Sequence, residues 1–468
     1  MRTRTLVSLA LGIAVSACSF VPTYQRPAAP VAEQFPGARP GPAGNPPLPA
    51  SEIGWRSFFA DESLASLIEL GLANNRDLRI AALSIERARA TLQIQRAELL
   101  PVLNATAQHA RQRVAGATTP SGTGYTTDYY QAGLASTAFE IDFFGRIRAL
   151  SEASLAAYLA TEEARRSVHI ALVASIANAW LAVLADEALL QLARETLASR
   201  EASAALVRVR VAGGVAPESE LAQAQVLLET ARVALAQLTR SRALDENALA
   251  LLVGSPLPEG LLGKAANRAR PVFAEVPAGL PSDLLIRRPD VRGAEQSLIA
   301  ANANIGAARA AFFPRIALTG TVGLASGELS GLVSSGARAW TLIPALSLPI
   351  FDGGRNQANL DSSLANREIA VAQYEKTIQI AFREVADSLT GAATLDDQLN
   401  ALKAQVQAEE SRLRLSDLRH RAGVSSSLEV LDAQRSLFAA RQLLIQTGFA
   451  ALQNQVTLYK TLGGGWKR

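Results

Sequence analysis

The sequence predicts a mainly α-helical protein with a small transmembrane β part, built from long antiparallel coiled-coil hairpins and four short strands. Three observations carry that prediction. The chain repeats itself: Asp77 and Asp290 stand 213 residues apart, as do Pro101 and Pro314. Gly145 and Gly354, Gly214 and Gly423, and Gln225 and Gln434 are each separated by 209. A constant offset that changes once marks a duplication with a small length difference between Pro101 and Gly145. Next, Ile147 to Val211 contains neither Gly nor Pro, enough for roughly 100 Å of helix. Finally, the segment that follows Pro314 alternates with a period of two, the signature of a strand.

The elements follow in order. Arg2 and Arg4 precede a short apolar run, Leu6 to Val15. That run suits a signal-peptide core, whereas a membrane-spanning helix needs roughly 20 apolar residues. Val15-Ser16-Ala17-Cys18 resembles a lipobox, with Val15 where Leu is more usual, and Cys18 is the only cysteine. Residues 1–17 are therefore read as a lipoprotein signal peptide and Cys18 as the lipidated residue. Ser19 follows it, where an Asp would favour inner-membrane retention. A single cysteine leaves no disulfide, so packing and assembly must supply stability.

Residues 18–65 are read as an extended N-terminal segment. The first repeat, 66–253, contains a helix, a β-hairpin at about 102–141 and a long helical hairpin. A Pro- and Gly-rich connection covers 254–281. The second repeat, 282–462, has its β-hairpin at about 315–350, and 463–468 form a Gly-rich tail read as flexible. Apolar or small residues recur at Leu172, Ile176, Ala179, Val183, Leu190 and Leu197, steps typical of coiled-coil seams. The second copy repeats this at Leu395, Leu399, Leu402, Val406 and Leu413. Each long helix stops at a breaker, Gly213-Gly214 with Pro217 or Gly423, and a return helix follows. In the second strand pair, Ile316, Leu318, Val322 and Leu324 alternate with Ala317, Thr319, Thr321 and Gly323. In the first pair, around Leu103–Gln112 and Tyr130–Ile141, the alternation is weak and the duplication alone argues for strands.

Four strands cannot close a barrel, and lipid does not tolerate open sheet edges. Thin hairpins with apolar seams also need neighbours. Both features predict an oligomer. Without Arg2 and Arg4, 44 of the 46 basic residues remain against 42 acidic ones, which gives no electrostatic case for nucleic acid. No later stretch offers 18 consecutive apolar residues. His109, His169 and His420 are scattered, no metal-ligand spacing or nucleotide-binding glycine pattern occurs, and an enzyme is not expected.

Several stretches together resemble the TolC-type outer-membrane efflux factors, in the lipoprotein subfamily serving resistance–nodulation–division pumps. They are Pro22-Thr23-Tyr24-Gln25-Arg26-Pro27, Trp55-Arg56-Ser57-Phe58-Phe59, Ala73-Asn74-Asn75-Arg76-Asp77-Leu78-Arg79, Phe351-Asp352-Gly353-Gly354-Arg355, and the run from Gly423 to Gln434. The resemblance extends from Cys18 almost to the C-terminus. It implies a homotrimer whose chains pool four strands each into a twelve-stranded β-barrel in the outer membrane. The helices would form an α-barrel across the periplasm, with an equatorial belt from the termini and the 254–281 connection. It further implies a passive, gated duct for drugs or small amphiphiles, with a periplasmic adaptor and an inner-membrane proton-driven pump as partners. No cofactor is implied beyond the lipid on Cys18.

Glu429 and Asp432 stand at i and i+3, so their carboxylates share one helix face. The resemblance makes them the acidic periplasmic gate, with Glu429 where family members often carry Asp. The tips Gly213, Gly214, Val215 and Pro217, and Gly423, Val424 and Ser425, are the implied adaptor-docking surface, and Ser425 lacks the family's basic alternative. Pro101 and Pro314 would end helices entering the barrel, while Gly145 and Gly354 would begin helices leaving it. Alternatives at this point are a solvated helix face at Glu429 and Asp432, the same fold exporting another solute or a protein, and a structural periplasmic coiled-coil lipoprotein.

Overall fold

A computed structural model of the chain describes residues 19–36, 49–261, 271–274, 276, 284 and 286–467. The residues read as a signal peptide, Cys18, much of the 254–281 connection and Arg468 lie outside the described residues. The elements are α1 (Trp55–Phe58), α2 (Glu62–Asn74), α3 (Arg76–Ala97), β1 (Asn104–Val114), β2 (Tyr125–Ile141), α4 (Arg146–Ala212) and α5 (Glu218–Val253). The second copy supplies α6 (Pro289–Ala310), β3 (Arg315–Ser326), β4 (Arg338–Ser347), α7 (Arg355–Arg421) and α8 (Ser427–Thr461). They fall into two compact units.

The first unit gathers residues 19–28, 84–162 and 293–374. Its strands form one antiparallel sheet in the order β1-β2-β3-β4, so β2 and β3 join the two repeats. Leu134, Val322 and Trp340 are register partners across three strands and all exposed. They build one apolar row, and Ile141, Ile316 and Leu346 build another. A β-bulge between Ser136 and Phe139 explains the weak alternation of the first copy. Before it, the residues on this face are Ala132 and Leu134; after it they are Phe139 and Ile141. One inserted residue moves the apolar set from even to odd numbers. Ala138, inside the bulge, takes φ 52°, and its N–H donates to Thr319 Oγ1 at 3.1 Å.

The segment after Cys18 lies along α6 in the same unit. Phe20 stacks on Phe313 at 4.5 Å, the Asn302 amide donates to the Pro22 carbonyl at 2.7 Å, and Arg26 grips Glu295 through two bonds of 2.7 and 2.8 Å. Gly306 permits this approach, since a Cβ there would come within 2.4 Å of Val21.

The second unit comprises residues 29–83, 163–292 and 375–468, within the described set. Asp61 caps α2 by accepting from the Ser63 and Leu64 amides at 2.8 and 3.0 Å. The Phe58 ring stacks on Tyr459 at 4.0 Å and on Phe273 at 5.4 Å, and the Tyr459 hydroxyl donates to the Ile53 carbonyl at 2.6 Å. The buried Arg288 guanidinium donates to Asp290, Glu384 and the Thr461 carbonyl. The C-terminal tail is not the flexible end the composition indicated. Gly463 to Gly465 are buried, Lys467 O accepts from Trp55 N at 2.9 Å, and Arg166 lies over the Trp466 ring at 4.9 Å. A Cβ on Gly464 would run into the Tyr459 ring, so these glycines serve close packing.

One window of α4 reaches a mean hydropathy of 2.0 over 18 residues, long and apolar enough to cross a membrane by composition. More than half of it is buried inside the protein, around Ile176, Trp180 and Leu181. That burial explains its hydropathy as the core of the second unit.

Candidate functional site

The two hairpin turns are built twice by the same device. After α4, Val215 N donates to Arg210 O at 3.0 Å and Gly214 N to Val211 O at 3.0 Å. After α7, Val424 N donates to Arg419 O and Gly423 N to His420 O, both at 2.9 Å. These paired bonds close a helix through a left-handed residue. Gly214 and Gly423 both take φ 72°, and no atom lies within 4 Å of a Cβ on either. Backbone conformation rather than space therefore selects glycine here. Gly213 has no positive φ and continues the helix end, so the special position of the first turn is Gly214 alone. Val215 and Val424 project 71% and 69% exposed, and Pro217 and Ser426 occupy the positions just before α5 and α8.

A chain of polar contacts ties these turns together. Arg210 on α4 donates to Glu220 on α5 at 2.9 Å and to His420 Nε2 on α7 at 3.4 Å. His420 Nδ1 in turn lies 3.1 Å from the Ser425 carbonyl. With Nδ1 donating and Nε2 accepting, both ring nitrogens are committed. The sequence reading missed Arg210, Glu220 and His420. The signal was present for the first pair, an Arg and a Glu flanking a tight turn, but nothing in one repeat shows that the other brings His420 alongside.

Glu429 and Asp432 share the first turns of α8 as expected, in different surroundings. Asp432 Oδ2 accepts from Arg412 on α7 at 2.7 Å, and its Oδ1 accepts from Arg435 at 2.6 Å. Two guanidiniums thus hold this carboxylate. Glu429 is exposed, and among the described residues it forms no ion pair. Beside Asp432 runs an apolar groove between α5 and α8, lined by Ala222, Val226, Leu227, Leu428 and Leu431.

The helix–strand transitions sit in the first unit. Pro101 and Pro314 follow the short turns that end α3 and α6. Gly145 and Gly354 precede α4 and α7 with φ 73° and 87°. The second transition is fixed by Asp352, whose carboxylate accepts from Gly354 N and Asn356 N, each at 2.9 Å. Asp142 plays the matching part at the first, accepting from Arg148 N at 2.8 Å.

Comparison with known proteins bears on what this arrangement does. The family model described as "Outer membrane efflux protein" matches residues 67–255 and 280–464, one segment per repeat. The chain is 47% identical over 466 residues to the antibiotic efflux pump outer membrane protein ArpC of Pseudomonas putida, covering 99% of this chain and 96% of that one. It is 47% identical, with the same coverage, to the toluene efflux pump outer membrane protein TtgC of Pseudomonas putida. The fold matches the open-state crystal structure of the Neisseria gonorrhoeae MtrE outer membrane channel with a TM-score of 0.86 and 38% identity, over 96% of this chain and 99% of that one. Helices carrying a small antiparallel sheet, duplicated turns and these matches over nearly the whole length agree, and the chain belongs to the outer membrane efflux protein family.

Proposed function

We propose that three copies of this outer-membrane efflux protein close around a common axis and form the passive exit duct of a tripartite drug-efflux pump. The observation that carries this reading is the four-stranded sheet with two open edges, β1 and β4. It displays apolar rows through Leu134, Val322 and Trp340. In lipid every backbone group needs a partner, and three such sheets joined edge to edge satisfy both edges.

Lipidation of Cys18 fits the same picture. Phe20 stacks on Phe313, two residues before β3 begins, so the chain leaves α6 at the helix–strand boundary where a lipid would enter the membrane. The turns carrying Gly213, Gly214, Val215, Pro217, Gly423, Val424 and Ser425 offer exposed valines to the helical hairpin of a periplasmic adaptor, which links the duct to a proton-driven inner-membrane pump. The names of the relatives, antibiotic and toluene efflux proteins, argue for small amphiphiles as cargo. Repeated about a three-fold axis, Glu429 and Asp432 would ring a narrow opening and favour cations there. Arg412 and Arg435 would hold Asp432 in place.

Single-channel conductance in planar bilayers tests the reading. Wild type gives a small, cation-preferring conductance, and Glu429→Ala with Asp432→Ala enlarges it several-fold and weakens the cation preference. A pore unchanged by the double substitution moves the gate elsewhere, and folded protein without any pore removes the duct.

A further inference from the structure

Arg200 is a buried cation that forms no ion pair among the described residues. It sits on α4 in the second unit, 5% exposed, and its one side-chain hydrogen bond among the described residues goes to the Gln434 side-chain oxygen on α8. A guanidinium carries five N–H donors and stays charged. Burial lowers its pKa from the usual arginine value, a sign that the charge is poorly compensated. Arg288, comparably buried in the same unit, has both Asp290 and Glu384.

The guanidinium lines a cavity of about 130 Å³ between α4, α7 and α8, whose wall also includes Thr196, Ser199, Gln434, Leu437 and Arg441. Among the described residues neither nearby acid forms an ion pair with Arg200. Glu195 lies on the cavity wall but accepts from Gln191 at 3.1 Å, and Glu410 is bound by Arg441 at 2.6 Å. The polar part of the wall is therefore the buried Arg200, Arg441 paired to Glu410, the Glu195 carboxylate, the Gln434 carboxamide, and the hydroxyls of Ser199 and Thr196, the latter donating to the Leu192 carbonyl at 2.7 Å. Buried charge without a partner is costly, and a small anion supplies what the side chains do not.

We propose that this cavity binds a small monovalent anion, chloride in the cell, held by Arg200 and bridging α4 to α8. The volume leaves room for a halide with a few waters, since one water occupies about 30 Å³. Gln434 lies two residues beyond Asp432 on the same helix, so the anion fastens α4 to the helix that carries the acidic pair. The inference rests on Arg200 and its cavity and stands whether or not those acids form a gate.

The test uses the purified full-length protein. Crystals grown in bromide should show an anomalous peak against the Arg200 guanidinium. In thermal unfolding at constant ionic strength, replacing gluconate by chloride should raise the melting temperature by roughly 2–4 °C along a saturating curve. In Arg200→Gln the saturating response should vanish, while Arg200→Lys, which keeps the charge, should retain part of it. A wild-type crystal without bromide at Arg200 overturns the proposal, and it needs no variant to fold. So does a chloride response of equal size in wild type and Arg200→Gln.

Discussion

Asp186 on α4 sits 9% exposed opposite Asp245 on α5. Burial first, then the hydrogen bond and the charge of Asp245, push its carboxyl up to about 6. Arg242 opposes that shift, but its guanidinium is engaged by Glu187 at 2.6 Å and Glu246 at 3.2 Å. A carboxyl whose pKa rises on folding stabilises the fold when protonated. Its contribution is complete below the ordinary aspartate value near 4 and is lost as pH rises through about 6. The α4–α5 pairing should therefore be firmer at pH 5 than at pH 7.5. Asp186→Asn, which cannot ionise, should stabilise the protein at pH 7.5 by on the order of 2 kcal/mol and flatten this pH dependence. Denaturant melts at the two pH values check it, and equal pH dependence in both proteins would rule the pair out as its source. Nothing in the sequence singles out Asp186. The period of one helix cannot show what a second helix places opposite it, and the same limit hid Arg412 on α7, which reaches Asp432 across the hairpin.

At the scale of elements, the duplication made the helices, both turns and the strand positions legible, because equal offsets mark equal structure. What stayed hidden were local events that break a period or reuse a residue type. The bulge at Ser136–Phe139 shifts the apolar face by one residue, so β2 did not read as a strand by itself. The final glycines resembled a flexible end, yet their missing side chains are what let Tyr459 and its neighbours close over them. Gly306 uses the same device on α6, where Val21 fills the place of its absent Cβ. Gly306→Val should push residues 19–26 off α6 and cost about 1–3 kcal/mol through overpacking. Amide exchange should quicken over 19–26 while the β2–β3 ladder keeps its protection. Unaltered exchange in that segment would show that the contact does not hold it. The acidic pair Glu429 and Asp432 was legible as a pattern on α8; the Arg210–His420–Ser425 link was not, since it joins residues from both copies.

For the whole molecule, the pairing of β4 decides how copies can meet. Ala325 N donates to Ala337 O at 2.7 Å, which sets the alternation of the antiparallel ladder along β4. Residues 339, 341 and 343 then turn their N–H groups toward β3, and 340, 342 and 344 turn away from it. Position 344 is Pro344, a residue with no N–H to give, placed where β3 needs none. The outward N–H groups of Trp340 and Leu342 remain for a neighbouring strand. If β4 of one copy pairs with β1 of the next, Leu342→Pro removes a donor from each of three interfaces and leaves the β3 ladder intact. An unmet backbone group in lipid costs several kcal/mol, so detergent-resistant trimer should fall by more than tenfold on unheated gels. Leu342→Ala, which keeps the N–H, should assemble nearly as wild type. A Leu342→Pro protein that runs as a stable trimer with wild-type conductance would mean that the sheet edges do not close the duct.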